Sequence, residues 1–228
     1  MGKTRGIEWC DSSWNPWQGC HKVSPGCAHC YMFRDKIRYG QEPNTVVRSK
    51  PATFTAPLTW KDPLKIFTCS WSDFFIEEAD AWRDDAWDII RRTPRHTYQI
   101  LTKRPENIAN RIPIDWPLPN VWLGVSLENN KFYDRIRRLR YVRASVKFLS
   151  VEPLLGSVAD IPLDGIDWVI VGGESGPKAR PMKIQWAREV RDKCVAAGIP
   201  FFFKQWSNSL RCDIGRRLDG REWSEFPR

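Results

Sequence analysis

The 228-residue sequence contains no apolar run approaching the roughly 18 residues of a membrane-spanning helix. Its first five residues lead into no apolar core of a secretory signal peptide. Internal repeats, low-complexity segments and an obvious interdomain linker are also missing. These absences predict a protein that stays in the cytoplasm and has no membrane partner. They also predict a single domain over residues 1–228, a length that α/β barrels often reach as one unit.

Disulfide bonds are not expected either. The chain has seven cysteines, an odd number, and only three of them lie close together in the sequence. In a reducing compartment this usage favours metal or cluster binding over disulfides. Cys69, Cys194 and Cys212 occur singly, and we expect them to be structural thiols.

Acidic residues are fewer than basic ones. Lys and Arg number 36 against 27 Asp and Glu, so the formal net charge is +9. A basic surface favours polyanions such as nucleic acid as partners. The chain also has 13 tryptophans, some with the spacing of core residues: Trp82, Trp87 and Trp168. Others lie in sequence beside the candidate chemistry, where they would stack on a base or an adenine: Trp14, Trp17, Trp71 and Trp206.

Short apolar or β-branched runs alternate with amphipathic stretches. The predicted strands are Lys65–Cys69, Thr97–Leu101, Val121–Val125, Val146–Ser150, Asp167–Val171 and Pro200–Phe203, with a weak first strand near Ile7–Trp9. The predicted helices are Cys27–Tyr39, Glu77–Arg92, Pro105–Ile112, Lys131–Val142 and Gln185–Ala197. Gly198 stands where a helix C-terminus favours glycine. This alternation predicts an α/β fold in which parallel strands are joined by helical crossovers.

Polar residues cluster where the predicted strands end. They are Ser70, Ser72 and Asp73, then Lys103, then Ser126, Glu128 and Asn129, then Glu152, then Glu174, and finally Lys204. In α/β barrels the carboxyl ends of the strands carry the active site. Helix capping accounts for single residues such as Asn129, but it does not account for the charged residues together. The pattern therefore predicts a binding mouth.

Three cysteines, Cys20, Cys27 and Cys30, share one glycine-containing loop with the spacing C-x6-C-x2-C. Three thiolates can hold three corners of an iron–sulfur cube and leave the fourth iron open to a small molecule. The amides of Gly19 and Gly26 are candidate donors to the cluster sulfurs. The alternative is a structural zinc site, which needs four ligands. Its fourth ligand would come from Cys10, His21 or His29. The barrel pattern that follows the loop favours the cluster.

The chain resembles a phage-encoded three-cysteine-motif family of unknown function that is similar to radical S-adenosylmethionine (radical SAM) proteins. The segments that carry the resemblance are Trp14-Asn15-Pro16, Gly19-Cys20, Ser24-Pro25-Gly26-Cys27, Cys30-Tyr31, Ser70–Phe75, Leu101–Pro105, Gly124–Asn129, Ser150–Leu155, Val171–Gly176 and the tail Gly215–Pro227. The resemblance implies a partial (β/α) barrel of about six or seven parallel strands with outer helices, similar to a TIM barrel in part.

The resemblance also implies a [4Fe-4S] cluster on Cys20, Cys27 and Cys30, S-adenosylmethionine as cofactor and an electron donor of the flavodoxin or ferredoxin type. The polar residues expected to bind the cofactor are Ser70, Ser72, Asp73, Lys103, Ser126, Glu128, Asn129, Glu152 and Glu174. Among them, Asp73 is expected to pair with the cofactor's ammonium group, and Glu128 and Asn129 are expected to face ribose hydroxyls.

Two features depart from the superfamily's usual pattern. The first cysteine gap has six residues instead of three, and Gly172-Gly173-Glu174 follows the sixth strand instead of the second. The Gly-Gly-Glu segment is therefore not assigned the usual role of binding the methionine amine. By position, the segment after the second strand takes its place, with Ser70, Ser72 and Asp73.

The expected function is that of a radical SAM enzyme that modifies or repairs a nucleobase or nucleic acid. Basic stretches such as Arg135–Arg140 are candidate phosphate contacts, although an ordinary solvated helix face explains them equally. One alternative is a zinc-stabilised nucleic-acid-binding protein without catalysis. Another is a hydrolase that uses Glu128, Glu152 or Glu174 for acid–base chemistry, but it leaves the cysteine loop unexplained.

Overall fold

In the computed structural model, residues 7–207 and 215–228 are described. Their strands, in chain order, are β1 (Ser12–Trp14), β2 (Trp17–Gln18), β3 (Val47–Arg48), β4 (Lys65–Thr68), β5 (Thr97–Thr102), β6 (Val121–Ser126), β7 (Val146–Val151), β8 (Trp168–Gly172), β9 (Phe201–Gln205), β10 (Arg217–Leu218) and β11 (Arg221–Glu222). Seven of them form one sheet in the order β1-β4-β5-β6-β7-β8-β9. All neighbours in this sheet are parallel, and the sheet curls into a half-barrel flanked by helices.

The α-helices of the described residues are α1 (Tyr31–Arg38), α2 (Pro51–Phe54), α3 (Asp80–Arg92), α4 (Tyr133–Arg140) and α5 (Ile184–Ala197). Short 3₁₀ turns lie at Pro25–Cys27, Ala56–Thr59, Glu77–Ala79, Pro105–Asn107 and Asn130–Phe132. In the described part of the chain, no helix combines the length and apolarity needed to cross a membrane. Two antiparallel strand pairs, β2 with β3 and β10 with β11, stand apart from the main sheet.

The strand predictions are confirmed except for the first one. The six later strands begin and end within one or two residues of their predicted bounds. Ile7–Trp9 is not a strand; the first strand is β1, which pairs with β4. The apolar side chain of Trp9 marks a core position instead of a strand, because its ring packs inside the half-barrel with its centroid 4.7 Å from that of Phe67.

The helix predictions are confirmed for α3, α4 and α5, and Gly198 ends α5 in the left-handed conformation with φ of 67°. The helix predicted from Cys27 begins only at Tyr31, because the preceding loop contains a 3₁₀ turn and an extended Cys30. The helix predicted over Pro105–Ile112 is wrong. That segment, which is described throughout, forms only a 3₁₀ turn at its start, and the proline after Ile112 disfavours helical backbone there.

Two hydrophobic cores lie on the two faces of the sheet. Along β8, Val169 and Val171 belong to the larger core between the sheet and its helices. Trp168 and Ile170 belong to the smaller core inside the half-barrel. A strand buried on both faces reads as an unbroken apolar run, as this one does.

Inside the half-barrel the side chains change from apolar to polar toward the carboxyl ends of the strands, which we call the upper end. On β7, Phe148 is followed two residues later by Ser150 and, two residues beyond it, by Glu152, all on one face because strand side chains alternate. On β6, Gly124 and Ser126 are the register partners of Phe148 and Ser150. An aromatic floor, a layer of small residues and a charged rim therefore succeed one another. The small layer leaves space beneath the rim.

Candidate functional site

A cavity of about 480 Å³ lies inside the upper half-barrel, at the carboxyl ends of the parallel strands. The predicted site residues that line it are Cys20, Cys27, Cys30, Ser70, Ser72, Asp73, Lys103, Ser126, Glu152 and Glu174. Lys204 also lines the cavity, whereas Glu128 and Asn129 do not. The fold thus brings together most of the residues that the sequence indicates.

The cysteine loop leaves β1 and runs to the start of α1. Gly19 has φ of 100°, and a β-carbon there would lie 2.2 Å from the carbonyl oxygen of Thr45. The backbone nitrogen of Gly19 donates to the carbonyl of Trp71 at 3.0 Å. The prediction that this amide serves cluster sulfurs is therefore wrong, because the chain itself already uses it. Only glycine fits this backbone, since the conformation and the contact both exclude a side chain.

One buried ion pair anchors the first cysteine. Both carboxylate oxygens of Asp73 accept hydrogen bonds: Oδ1 from Thr102 Oγ1 at 2.7 Å, and Oδ2 from the Lys103 nitrogen at 2.9 Å. Arg104 Nη1 lies 3.3 Å from Asp73 Oδ2 and donates to Cys20 Sγ at 3.6 Å. Asp73 therefore holds the Arg104 guanidinium against the loop. Its expected role toward a cofactor's ammonium stays a prediction, and its oxygens already have donors within the chain.

A second buried ion pair anchors the turn before Cys27. Glu128, which is fully buried, accepts from Ser24 Oγ at 2.6 Å and from Arg135 Nη1 at 3.4 Å. A β-carbon on Gly26 would lie 2.3 Å from Glu128 Oε1. The loop thus lies directly on this carboxylate. Glu128 supports the loop from outside the cavity lining, which does not match the prediction that it faces a ribose.

Asn129 also has a local partner. Its side chain accepts from the backbone nitrogen of Lys131 at 3.0 Å and caps the 3₁₀ turn that leads into α4. The capping interpretation of this residue is confirmed. Because Asn129 does not line the cavity, the geometry gives no support to its predicted contact with a ribose hydroxyl.

A third ion pair anchors the segment between Cys27 and Cys30. Glu174 accepts from the Arg180 backbone and Nε, each at 2.9 Å, and lies 2.9 Å from His29 Nδ1. Arg180 Nη2 also reaches Glu174 and donates to the carbonyl of Pro25 at 2.9 Å. Burial opposes the charge, but the Arg180 hydrogen bonds outweigh it and lower the pKa of Glu174 to about 2. Glu174 is thus a firmly charged carboxylate and a poor proton donor.

Hydroxyl groups at the end of β4 complete the attachment of the loop. Ser70 Oγ bonds with the Asn15 side chain, and its carbonyl accepts from Tyr31 Oη at 2.6 Å. Ser72 Oγ donates to the carbonyl of Gly19 at 2.6 Å. Ser70 and Ser72 line the cavity as predicted, and each also holds one part of the cysteine loop.

Other groups of the cavity lining are less committed. Lys204 Nζ lies 2.6 Å from Glu152 Oε1, and both side chains line the cavity. The Lys103 side chain forms no hydrogen bond or ion pair with any described residue. Ser126 and Ser150 line the cavity, and within the described ranges neither hydroxyl has a hydrogen-bond partner. These five residues therefore offer polar groups that can meet a ligand.

The three thiols fit a cluster as a donor set, because all three belong to one loop and line one cavity. Burial, followed by the charge of Asp73, raises the pKa of Cys20 to about 12, and Arg104 opposes this. Burial also raises the pKa of Cys30, against the charge of Lys103. Both shifts favour the protonated thiols of Cys20 and Cys30 in the chain alone. Metal binding requires their thiolates and releases the protons.

No group of three or more His, Cys, Asp or Glu side chains within residues 7–207 and 215–228 is arranged around a single metal ion. The three predicted candidates for a fourth zinc ligand have other contacts. His21 Nε2 lies 2.5 Å from Glu78 Oε1, and His29 contacts Glu174. Cys10 Sγ lies 3.7 Å from the carbonyl of Ile7. A tetrahedral zinc site needs ligands that converge on one ion; the irons of a cluster take one thiolate each.

Three of the four tryptophans expected to stack on a ligand are core residues instead. Trp14, Trp17 and Trp206 are fully buried, and each indole nitrogen donates to a backbone carbonyl. Trp71 is half-buried and lines the cavity. The core assignments of Trp87 and Trp168 are confirmed. Trp82 is partly buried and packs against the larger core, to which Trp87 belongs.

The lone cysteines differ from one another. Cys194 is a buried core thiol, as predicted, whereas Cys69 is buried but also lines the cavity. Cys212 lies outside the described residues. Sequence reasoning missed Arg104 and Arg180 as partners of the rim carboxylates. It gave Arg135 to phosphate contacts, whereas Arg135 is buried and pairs with Glu128. The only signal of Arg104 was its position shortly after a predicted strand end, which many surface arginines share.

Comparisons with known proteins give one result. Neither the curated proteins nor the solved structures contain a match to this chain. A family described as a protein of unknown function (DUF5131) matches residues 4–227, which is nearly the whole chain. The cavity, the cysteine loop and its three anchoring ion pairs all fall within the matched range, and the chain belongs to this DUF5131 family.

Proposed function

We propose that this chain is a radical SAM enzyme. Cys20, Cys27 and Cys30 would hold a [4Fe-4S] cluster, and S-adenosylmethionine would bind in the adjoining cavity. The substrate to be modified or repaired would be a nucleobase or nucleic acid, the class that the net charge of +9 favours.

One observation carries the proposal. Three thiols of a single loop line one cavity at the carboxyl end of a seven-stranded parallel half-barrel, the end where α/β barrels carry their active sites. Three separate carboxylate–arginine pairs fix the same loop. A loop held at this many points is pre-organised for a ligand, which lowers the cost of binding.

When bound, the cluster and S-adenosylmethionine together would supply a 5′-deoxyadenosyl radical for hydrogen abstraction. The chain's own residues would bind and orient. Glu152 and Lys204 offer a carboxylate and an ammonium group on the cavity lining. Such a pair suits the ammonium and carboxylate of an amino-acid ligand, because each charge finds its opposite. Asp73, Glu128 and Glu174 would keep the loop in place.

The reaction needs an electron from outside the chain. We expect a donor of the flavodoxin or ferredoxin type, as the resemblance implies. Its match to this protein would be electrostatic, because the chain is basic and acidic redox proteins are attracted to basic surfaces.

The test is anaerobic reconstitution with iron and sulfide. We expect about four irons per chain, broad visible absorption, and 5′-deoxyadenosine once the reduced protein receives S-adenosylmethionine. Cys27→Ala is expected to lose the iron signal while retaining its circular dichroism spectrum. Cys194→Ala is the matched control, because that thiol lies in the helix core and does not line the cavity.

Two results would contradict the proposal. Protein isolated without air that contains stoichiometric zinc and no iron would favour the zinc-stabilised nucleic-acid-binding alternative. Full iron loading of a Cys20/Cys27/Cys30 triple alanine variant would show that the cluster, if present, lies elsewhere.

A further inference from the structure

The small layer inside the half-barrel has an unusual pair of side chains. Ser126 on β6 and Ser150 on β7 are register partners on neighbouring parallel strands, so their backbones lie about 4.8 Å apart. Each is only 2% exposed, and both line the cavity. Neither hydroxyl has a hydrogen-bond partner in the described part of the chain, and neither is shut off from the cavity space. Two open hydroxyls side by side are therefore available to bond with a molecule that fills the cavity.

The surroundings of the pair define the kind of ligand. Below it, the cavity is lined by the apolar side chains of Trp9, Phe67 and Leu101. The space therefore has flat apolar walls and a few fixed polar groups. This combination is typical of pockets for planar ring compounds.

The space exists because of a glycine one step below the serines. Gly124 is the register partner of Phe148, and a β-carbon on it would lie 2.6 Å from the Phe148 ring. The ring occupies the place of that missing side chain and forms part of the floor. Above the serines stand the Glu152–Lys204 pair and Lys103, so the pocket is apolar at its base and charged at its mouth.

We infer that Ser126 and Ser150 form the polar edge of a subsite for the nucleobase of the substrate. Ser126, which the resemblance assigns to the cofactor, is thereby reassigned to the substrate. A base has an apolar face and an edge of alternating donors and acceptors. Hydroxyl groups suit such an edge because each one both donates and accepts. A charged group attached to the base, such as a phosphate, would lie toward Lys103 at the mouth. This inference rests on the proposed function for the role of the base as substrate.

The test measures binding of adenosine, guanosine, cytidine, uridine and thymidine to the reconstituted protein by calorimetry, first without S-adenosylmethionine and then with S-adenosylmethionine at saturating concentration. We expect at least one nucleoside to bind. Ser126→Ala and Ser150→Ala should each weaken that binding about fivefold, the usual effect of one lost hydrogen bond. Ser145→Ala is the control, because its exposed hydroxyl bonds to the carbonyls of Leu118 and Pro119 outside the cavity lining. Thermal unfolding of each variant checks the fold.

Three results would overturn the inference: no nucleoside binds, the cavity serine variants bind like the wild type, or S-adenosylmethionine displaces the nucleoside. The last result would assign the serines to the cofactor's adenine. Iron content and 5′-deoxyadenosine are measured on the same samples. Cluster chemistry without nucleoside binding would remove this inference alone, whereas serine-dependent nucleoside binding without iron would remove the proposed function alone.

Discussion

The carboxylates at the strand ends form two groups that look alike in the sequence and differ in the structure. Asp73, Glu128 and Glu174 each pair with an arginine and fix the cysteine loop. Glu152 pairs with Lys204, lines the cavity and makes no hydrogen bond to the described residues of the cysteine loop. Carboxylates at equivalent strand-end positions therefore have two roles. The basic residue that pairs with each carboxylate indicates which role it has.

The partner matters because arginine can bridge groups that lysine cannot. The guanidinium of Arg104 bonds to Asp73, to the carbonyl of His21 and to Cys20 Sγ. The guanidinium of Arg180 likewise joins Glu174 to the carbonyl of Pro25. A planar group with five donors holds a carboxylate and a loop together, whereas an ammonium group is a compact charge on a flexible stem. The Lys204 ammonium is thus better suited to exchanging partners when a ligand arrives.

The largest effect is expected at Gly19, on the anchored side. Gly19→Ala should lower the free energy of unfolding by more than about 4 kcal/mol, because a strained φ combines with a backbone clash. Gly40 is the control, since its φ of 66° is also positive but nothing lies within 4 Å of an added β-carbon. Gly40→Ala should cost roughly 1–2 kcal/mol. If urea unfolding gave both variants the same loss of unfolding free energy, the contact with Thr45 would contribute nothing to the cost of Gly19→Ala.

A smaller effect distinguishes the two groups of carboxylates directly. Glu128→Gln leaves the buried guanidinium of Arg135 without its charged partner and should cost about 3 kcal/mol. Glu152→Gln should change stability by less than about 1 kcal/mol, because this pair opens onto the cavity. Ligand effects should run in the opposite direction: Glu152→Gln loses S-adenosylmethionine binding, and the residual folded Glu128→Gln keeps it. Similar unfolding curves for the two variants would remove the distinction between the groups.

The sequence alone predicts the strands well and the roles of the rim residues poorly. Buried strands such as β8 read as short apolar runs, and parallel pairing places their carboxyl ends together. This is why Cys20, Ser70 and Lys103, far apart in the chain, were expected at one mouth and do line one cavity. Whether a carboxylate faces that cavity or the loop depends on side-chain partners that lie up to 155 residues apart, as Pro25 and Arg180 do. Sequence periodicity carries no signal of such pairs.

A moderate effect is expected at Asn129, which was predicted to contact a ribose and is observed to cap a turn. Asn129→Ala should cost about 1 kcal/mol of stability, the usual value for a lost N-cap. S-adenosylmethionine cleavage per folded protein should stay unchanged. Asn130→Ala is the control, because that exposed neighbour has no side-chain hydrogen bond to the described residues. A large loss of cleavage with unchanged stability would restore the ribose assignment.

The smallest effect concerns pH and the third anchor. The side chains that face Glu174 are those of Arg180 and His29, and the pKa of Glu174 is lowered to about 2 from the value of about 4.3 in an unfolded chain. A carboxyl group whose pKa is lowered in the folded state makes its full contribution to folding stability at pH values above its pKa in the unfolded chain. That stabilisation declines as the pH falls from about 4.3 toward 2.

The stability difference between wild type and Glu174→Gln should therefore shrink as the pH falls below about 4.3. Urea unfolding at a series of pH values measures it, with exposed Glu222→Gln as the control, because Glu222 has no ion pair in the described ranges. A difference that persists unchanged to pH 3 would mean that the Arg180–Glu174 contact acts through its shape alone. The third anchor would then resemble an ordinary hydrogen-bonded turn. Asp73 and Glu128 would remain as the carboxylates that hold the cysteine loop through their charge.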